Sequence, residues 1–396
     1  MIKLQHKIFD YFLLYLFPIL ATSLFHYNQI NQTFVKGAYY LIWIITAIYI
    51  GKVWIAPRPT KIFGIMRYII YAMLFSCIIM SYLLWNQSFV LSFRIMVFSL
   101  PFIYFLFLWK CDFEEKDLEK LIIFLFIVHI IVWLYAFISF PNKILGDLDR
   151  EADESRGILR LIVGLEGAVI LTFFMSLNKW FITKKKVYIA LIVVSYIFII
   201  FMVTRQIILF STCFGLLYIF KKNKNLILVI ILSVAIGSNY ISFSDESILG
   251  SLINLTKEQS YDNKKNQKNI RIRSYEKFFT EYNKEDLGVI VGNGIPHSLS
   301  SFGKYQKKFT DRGFFPSDVG YAKTYIVMGI LGLILYALLF FNIWKAKPTQ
   351  YFYYTKIYMF YCFAAHIASN PFFTVDTIFM SIALYMLDKN NIEYIK

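Results

Sequence analysis

The feature that most restricts this chain is the uninterrupted apolar run, repeated along nearly its whole length. Val187–Val203 contains no charged residue and begins directly after Lys184, Lys185 and Lys186. About 20 apolar residues cross roughly 30 Å of hydrocarbon. Runs of this kind recur throughout the sequence. A helix on the surface of a water-soluble domain keeps one polar face, and these runs have none. Composition agrees: of 396 residues 58% are hydrophobic, 19% aromatic and only 17% charged, where a soluble domain carries about a quarter charged. The chain is therefore expected to be an all-α polytopic membrane protein.

The pattern predicts about twelve transmembrane helices, at 8–25, 34–51, 67–84, 91–109, 119–140, 157–177, 187–203, 205–220, 226–243, 319–341, 352–369 and 372–387. Thr204, Arg205 and Gln206 form the only polar break between the seventh and eighth. Ser369, Asn370 and Pro371 separate the last two, and proline cannot continue a helix. Ala21 and Ser23 imitate a signal-peptide cleavage site, but the many later spans favour a retained anchor. The chain thus divides into spans one to nine (1–243), a long hydrophilic loop (244–318), and the last three spans with a tail (319–396).

Lysine and arginine orient the spans. With the N-terminus inside, Lys52, Arg58, Lys61 and Arg67 fall in inner segments, as do Lys221, Lys222 and Lys224 and the lysines before Val187. The short outer segments are poorer, with Lys36, Arg94, Lys143, Arg150, Arg156, Arg160 and Arg205. Both termini are then cytoplasmic and the long loop faces outward. The net charge of +16 is scattered in short clusters between apolar runs, which argues against nucleic acid as a partner. Cys77, Cys213 and Cys362 lie in apolar runs and Cys111 in a basic loop, so no external disulfide framework and no metal-ligand spacing arises.

The long loop opens with a polar stretch from Thr256 to Asn269. Beyond Ile270, the residues Tyr275, Phe278, Phe279 and Tyr282 share a helical face, with Arg271, Ser274 and Lys277 nearby. Two readings of that face stand: a helix lying in the membrane interface with its aromatic side down, or a helix capping the bundle. Gly292-Asn293-Gly294-Ile295-Pro296-His297-Ser298 follows. No βαβ unit surrounds it and His297 occupies the third glycine position, so it is not a dinucleotide fingerprint. Its glycines and proline mark a tight, irregular backbone that fixes His297 in place. Ser317 or Asp318 is placed to cap the tenth helix, and Gly329 and Gly332 allow that helix to pack closely on a neighbour.

Ionisable residues within spans are costly, and so are candidates for function. Arg160 and Glu166 lie in the sixth span, with Arg156 one turn before Arg160. Arg205 sits at a hairpin tip with no acidic residue near it in sequence. Guanidinium geometry suits phosphate, so a phosphate-bearing lipid is the expected ligand. A neutral histidine there is suited to take a proton from an attacking sugar hydroxyl. Arg94 is read as snorkelling, and His129, His366 and Asp376 as hydrogen bonds within the bundle. Asp147-Leu148-Asp149 forms a D-x-D pattern, but the surrounding acidic run reads as a solvated loop.

With these features together, the chain resembles the bacterial O-antigen polymerase and O-antigen ligase superfamily. The likeness in architecture covers most of the chain: many spans and one large external loop before the last three helices. Locally it rests on Arg160, Thr204-Arg205, Arg271 or Arg273, Gly292–Ser298, and Asp318-Val319-Gly320 before a glycine-rich span. The resemblance implies a GT-C-like fold in the bacterial cytoplasmic (inner) membrane, with its active side outward. It also implies metal-independent, inverting transfer from an undecaprenyl-diphosphate-linked glycan, without a cofactor. His297 and Arg205 would be catalytic, and Arg160, Arg205, Arg271 and Arg273 would bind the diphosphate, with Glu166 and Asp318 in support. Expected partners are the lipid-linked donor and acceptor, membrane lipids and a chain-length regulator. In a polymerase the acceptor is another lipid-linked repeat unit, whereas in a ligase it is lipid A-core. The ligase pattern places a glycine where this chain has Lys308, which favours the polymerase of an O-antigen or capsule. The rivals are the ligase, a lipid-linked oligosaccharide flippase or transporter, and a metal-dependent glycosyltransferase using Asp147 and Asp149. A transporter would show paired halves, and no internal repeat is visible.

Overall fold

The structure is a computed structural model that describes residues 2–22, 24, 29–57, 59–140, 161, 163–223, 269–283 and 285–391. Those residues are helical almost throughout, with a single isolated β-bridge joining Pro348 and Asn391. The helices are α1 (Ile2–Ala21), α2 (Gln29–Tyr49), α3 (Lys61–Trp85), α4 (Phe89–Ser99), α5 (Ile103–Cys111), α6 (Glu115–Ile138), α7 (Glu166–Thr183) and α8 (Lys186–Phe201). They continue with α9 (Arg205–Lys222), α10 (Ile270–Thr280), α11 (Asp286–Val291), α12 (Ser301–Thr310), α13 (Gly320–Lys345), α14 (Tyr353–Ala365) and α15 (Thr377–Lys389). Three of them, α3, α6 and α13, are long and apolar enough to cross a membrane, or four if the bent pair α4–α5 counts as one span. The expected ninth span (226–243), the first part of the long loop, Arg160, Asp147 and Asp149 lie outside the described residues.

Local chemistry sets the boundaries. Thr60 caps α3 by accepting from Phe63 N–H at 3.0 Å, and Asn269 caps α10 through Arg271 N–H at 2.9 Å. Asn86, Asp112 and Lys184 take left-handed φ at the ends of α3, α5 and α7. The expected break at Thr204 separates α8 from α9, and Asn370–Pro371 falls between α14 and α15. A large core of buried apolar residues from α1 to α9 and α13 to α15 holds these helices together. At one end of the bundle the polar clasps are Lys179 with Glu119 at 2.6 Å and Lys389 with Asp112 at 2.7 Å.

Several elements depart from the sequence expectations. The run at 91–109 is two helices bent by 62°, because Pro101 removes an N–H and crowds the preceding turn. Two carbonyls at this bend are taken by α2: Tyr39 Oη donates to Val97 O and Trp43 Nε1 to Leu100 O, each at 3.3 Å. In the expected sixth span (157–177), residues 157–160 and 162 lie outside the described residues, and the described helix starts at Glu166, after Gly164 and Leu165 take φ of 52° and 62°. Neither Ser317 nor Asp318 caps α13. Pro316–Asp318 forms a 3-10 turn, Val319 precedes the helix without a side-chain cap, and Asp318 is exposed beside Ser317 Oγ at 3.2 Å.

Gly329 allows close approach to a neighbouring segment, as expected, and is also the place where α13 breaks. Its φ of 63° and ψ of −158° lie in a region open essentially to glycine alone. In α3, a turn of π-helix at Ser76–Met80 places the Ser81 N–H on Ser76 O. Roughly 13 Å of helical rise separates Ser76 from Trp85, and as much separates Gly320 from Gly329. Two irregular turns on packed helices therefore stand at one depth.

A second, smaller core caps the Trp85 end of α3. Phe278 and Tyr282 are fully buried there with Trp85, Phe302, Phe309 and Phe314, and the Trp85 and Phe302 rings stack at 4.6 Å. Of the two readings of the α10 face, the structure supports capping. Tyr275 Oη donates to Ile367 O at 2.7 Å and Phe279 packs on Tyr325, so the aromatic side turns toward protein. Burying an aromatic ring stabilises by about 1.5–3 kcal/mol, so several rings hold this cap firmly.

Candidate functional site

The chain between α11 and His297 enters the bundle in the gap that those two irregular turns open. Its backbone groups are met one by one. Ser76 Oγ donates to Val291 O at 2.6 Å, and Ser81 Oγ donates to Asn293 O at 2.8 Å. From the other side, Asn293 N–H donates to Ile326 O at 2.8 Å and Gly294 N–H to Val327 O at 3.1 Å, the carbonyls just before the α13 break. Non-helical backbone at such depth is tolerated only where its polar groups are satisfied in this way.

Glycine is required at two of these positions. Gly292 has φ 83° and ψ 175°, and a Cβ there would lie 2.2 Å from Val327 O. A Cβ on Gly329 would lie 2.4 Å from Ile290 O, so the two backbones clasp each other. The expectation that Gly292–Ser298 is a tight, irregular segment matches this geometry.

Gln87, fully buried between α3 and α4, anchors the far end of the segment. Its Nε2 donates to Ile295 O at 3.0 Å, while its Oε1 accepts from His297 N–H at 2.9 Å and lies 2.7 Å from Ser300 Oγ. Asn293, also buried, accepts from Trp85 Nε1 at 3.0 Å through its Oδ1. Sequence reasoning missed Gln87. Its one signal was a polar pair, Asn86-Gln87, at the end of an apolar run, and that pair reads equally well as an ordinary loop.

His297 is half-buried, and its Nδ1 lies 3.2 Å from the Leu299 N–H. A ring nitrogen that accepts from an amide carries no hydrogen, so the neutral ring carries it on Nε2. His129 is the opposite case. Its Nδ1 faces Gly164 O at 2.7 Å, and a carbonyl only accepts, so its hydrogen sits on Nδ1. His129 Nε2 is then a buried lone pair with no partner among the described residues. His366 bonds Thr324 Oγ1 at 2.9 Å, and Asp376 Oδ1 accepts from Gly167 N–H at 3.0 Å, as expected of contacts within the bundle.

The remaining expected site residues are spread over two groups of elements. Arg205 opens α9 and is half-buried, and Glu166 opens α7 within electrostatic reach of Tyr361 on α14. Arg271 is exposed on the first turn of α10, while the Arg273 guanidinium lies 5.5 Å from the Phe314 ring. Among the described residues, no hydrogen bond or ion pair joins His297 to Arg205, Arg271, Arg273 or Asp318. No known protein family matches the chain, and no curated protein does either. What the site can do is therefore argued from its own groups.

In the cap, burial pushes the Tyr282 phenol well above its ordinary range, and raises those of Tyr275 and Tyr305 as well. At neutral pH all three stay protonated and serve as hydrogen-bond donors, not bases. Of the side chains on the Gly292–Ser298 turn, His297 is the one whose type serves as a general base. The arrangement offers one imidazole at the end of a turn held by hydrogen bonds to α3, Gln87 and α13.

Proposed function

We propose that the chain polymerises undecaprenyl-diphosphate-linked oligosaccharide repeat units into a surface polysaccharide, an O-antigen or a capsule. In this reading twelve spans with a GT-C-like arrangement sit in the bacterial cytoplasmic membrane. Both termini are cytoplasmic and the cap of α10 and α12 faces outward. The observation that supports it is the docking of Gly292–Gly294 between α3 and α13, which holds the chain leading to His297 in place as a reactive group needs.

The acceptor sugar hydroxyl attacks the anomeric carbon of the donor from the side opposite the diphosphate. A new C–O bond forms as the bond to the diphosphate oxygen breaks, and the configuration inverts. The diphosphate leaves with the bonding electrons, and arginine charge stabilises it as it departs. Arg205 is assigned this role, with Arg160, Arg271 and Arg273 contributing and Glu166 and Asp318 in support. The hydroxyl proton passes to His297. With its hydrogen on Nε2, the ring accepts that proton only if Leu299 N–H releases Nδ1. Losing one such bond costs about 1 kcal/mol, whereas a general base contributes 10²–10⁴-fold, about 3–5 kcal/mol. The base role therefore outweighs the cost of that lost hydrogen bond.

The test is the surface-glycan ladder of cells carrying His297→Ala or Arg205→Ala at normal protein level. Single repeats capping the lipid core are expected. Normal chain lengths in both would contradict the catalytic assignment. Lipid-linked polymer without transfer to the core would indicate a ligase, and repeats trapped on the inner face a flippase.

A further inference from the structure

Lys323 stands on the first turn of α13, between α3 and the chain that links α14 to α15. Its Nζ lies 5.4 Å from the ring centroid of Phe373, itself buried, so the side chain turns into the protein. Among the described residues it has no carboxylate and no hydrogen-bond acceptor as partner. The groups that face it from neighbouring elements are equally without charge. Cys77 on α3 and His366 at the end of α14 both lie within electrostatic reach of the ammonium.

The His366 ring is neutral in this arrangement. Thr324 Oγ1 donates to Gly320 O at 3.2 Å, so it accepts from His366 Nε2, which leaves Nδ1 as a bare lone pair. An ammonium within an apolar span costs up to about 3 kcal/mol unless an anion or water meets it. The Lys323 residue as a whole is half-buried, with its ammonium turned inward. Cys77 also belongs to the π turn on which Gly294 rests, since a Gly294 Cβ would lie 2.8 Å from Cys77 Cα. The ammonium thus lies on the same side of the bundle as the turn that holds His297.

We propose that Lys323 binds a phosphate group of the polyprenyl diphosphate, from the α13 side of the site. This rests on the polymerase reading and deepens it. Snorkelling explains a lysine near a helix end, but not one whose ammonium is turned onto a buried ring. Arginine at this position keeps the charge and the reach, whereas methionine keeps the stem and loses the charge.

The test is binding to the purified full-length protein, using undecaprenyl diphosphate, undecaprenyl phosphate and inorganic pyrophosphate as separate probes. Lys323→Met is expected to weaken undecaprenyl diphosphate about tenfold or more, and Lys323→Arg to restore most of that loss, with unchanged melting temperatures. Pyrophosphate showing the same dependence identifies phosphate alone as the recognised group. Dependence confined to the lipid forms identifies a headgroup at the membrane surface. In the unsubstituted protein, undecaprenyl diphosphate is expected to shield Lys323 from amine acylation, read by mass spectrometry. Undiminished binding by Lys323→Met overturns the proposal, as does acylation that the lipid does not slow. Either result leaves the polymerase reading intact. That reading fails instead if His297→Ala still makes polymer while the binding data stand.

Discussion

Among the described residues, the helical path is broken at Pro101 and at Gly329, and the two breaks are satisfied by different means. At Pro101 the 62° bend is met by side chains of α2, with Tyr39 and Trp43 donating to Val97 O and Leu100 O. At Gly329 the carbonyls before the break are met by the backbone of a distant loop, Asn293 and Gly294. A break met by side chains of a packed neighbour is closed and only shapes the bundle. A break met by loop backbone holds that loop in register, and this loop ends in His297. The difference separates irregular backbone that shapes the bundle from irregular backbone that holds a distant loop.

The clasp between Gly292 and Gly329 is the most direct way to break the second arrangement. Gly292→Ala introduces a Cβ against Val327 O in a conformation that only glycine adopts freely. It is expected to cost on the order of 3 kcal/mol and to lower polymer formation by about a hundredfold or more, read by melting temperature and by the glycan ladder. Polymer at the level of the unsubstituted protein would show that the docked segment is unrelated to activity.

Gln87→Ala comes next in size. It leaves His297 N–H and Ile295 O without their partner while the deeper clasp stays whole. A loss of about 1–3 kcal/mol is expected, with a fall in kcat of about tenfold and little change in KM. A change in KM alone would place Gln87 in substrate binding instead. The smallest effect belongs to the first break. Pro101→Ala restores an N–H where α2 already supplies the donors, so stability is expected to shift by under about 1 kcal/mol and activity by less than about twofold. A loss as large as that of Gly292→Ala would erase the distinction between the two breaks.

Much of this contrast is hidden from the sequence for a physical reason. Apolar runs place α3, α6 and α13 correctly, since 67–84, 119–140 and 319–341 largely coincide with Lys61–Trp85, Glu115–Ile138 and Gly320–Lys345. The aromatic face of α10 is legible too, because helical periodicity is a local property. What that face meets is not local, and Phe278 packs on Phe309 in a cluster that also holds Trp85 and Phe302. Likewise, Gly329 reads as a small residue suited to close packing. That packing is found, against Ile290 and Gly292, but the break it also makes depends on Asn293 and Gly294, which precede it by more than thirty positions and leave no pattern around it. The start of α7 at Glu166 is set by the same kind of contact, since a Gly164 Cβ would lie 2.6 Å from Thr22 O. His297 was visible because glycines and a proline flank it. Gln87 and Lys323 were not, because their roles appear only when α3, α13 and the loop are assembled.

The central claim is that the docked loop presents His297 as the group that takes the acceptor's proton. The measurement that bears on it most directly is polymer made from lipid-linked repeats by purified His297→Ala and His297→Gln proteins. Glutamine keeps an N–H near the place of Nε2 but is no base. Both variants are expected to lose polymer formation by at least about a hundredfold while melting like the unsubstituted protein. Near-normal polymer from His297→Gln would mean that the ring only donates a hydrogen bond, and near-normal polymer from both would contradict the account.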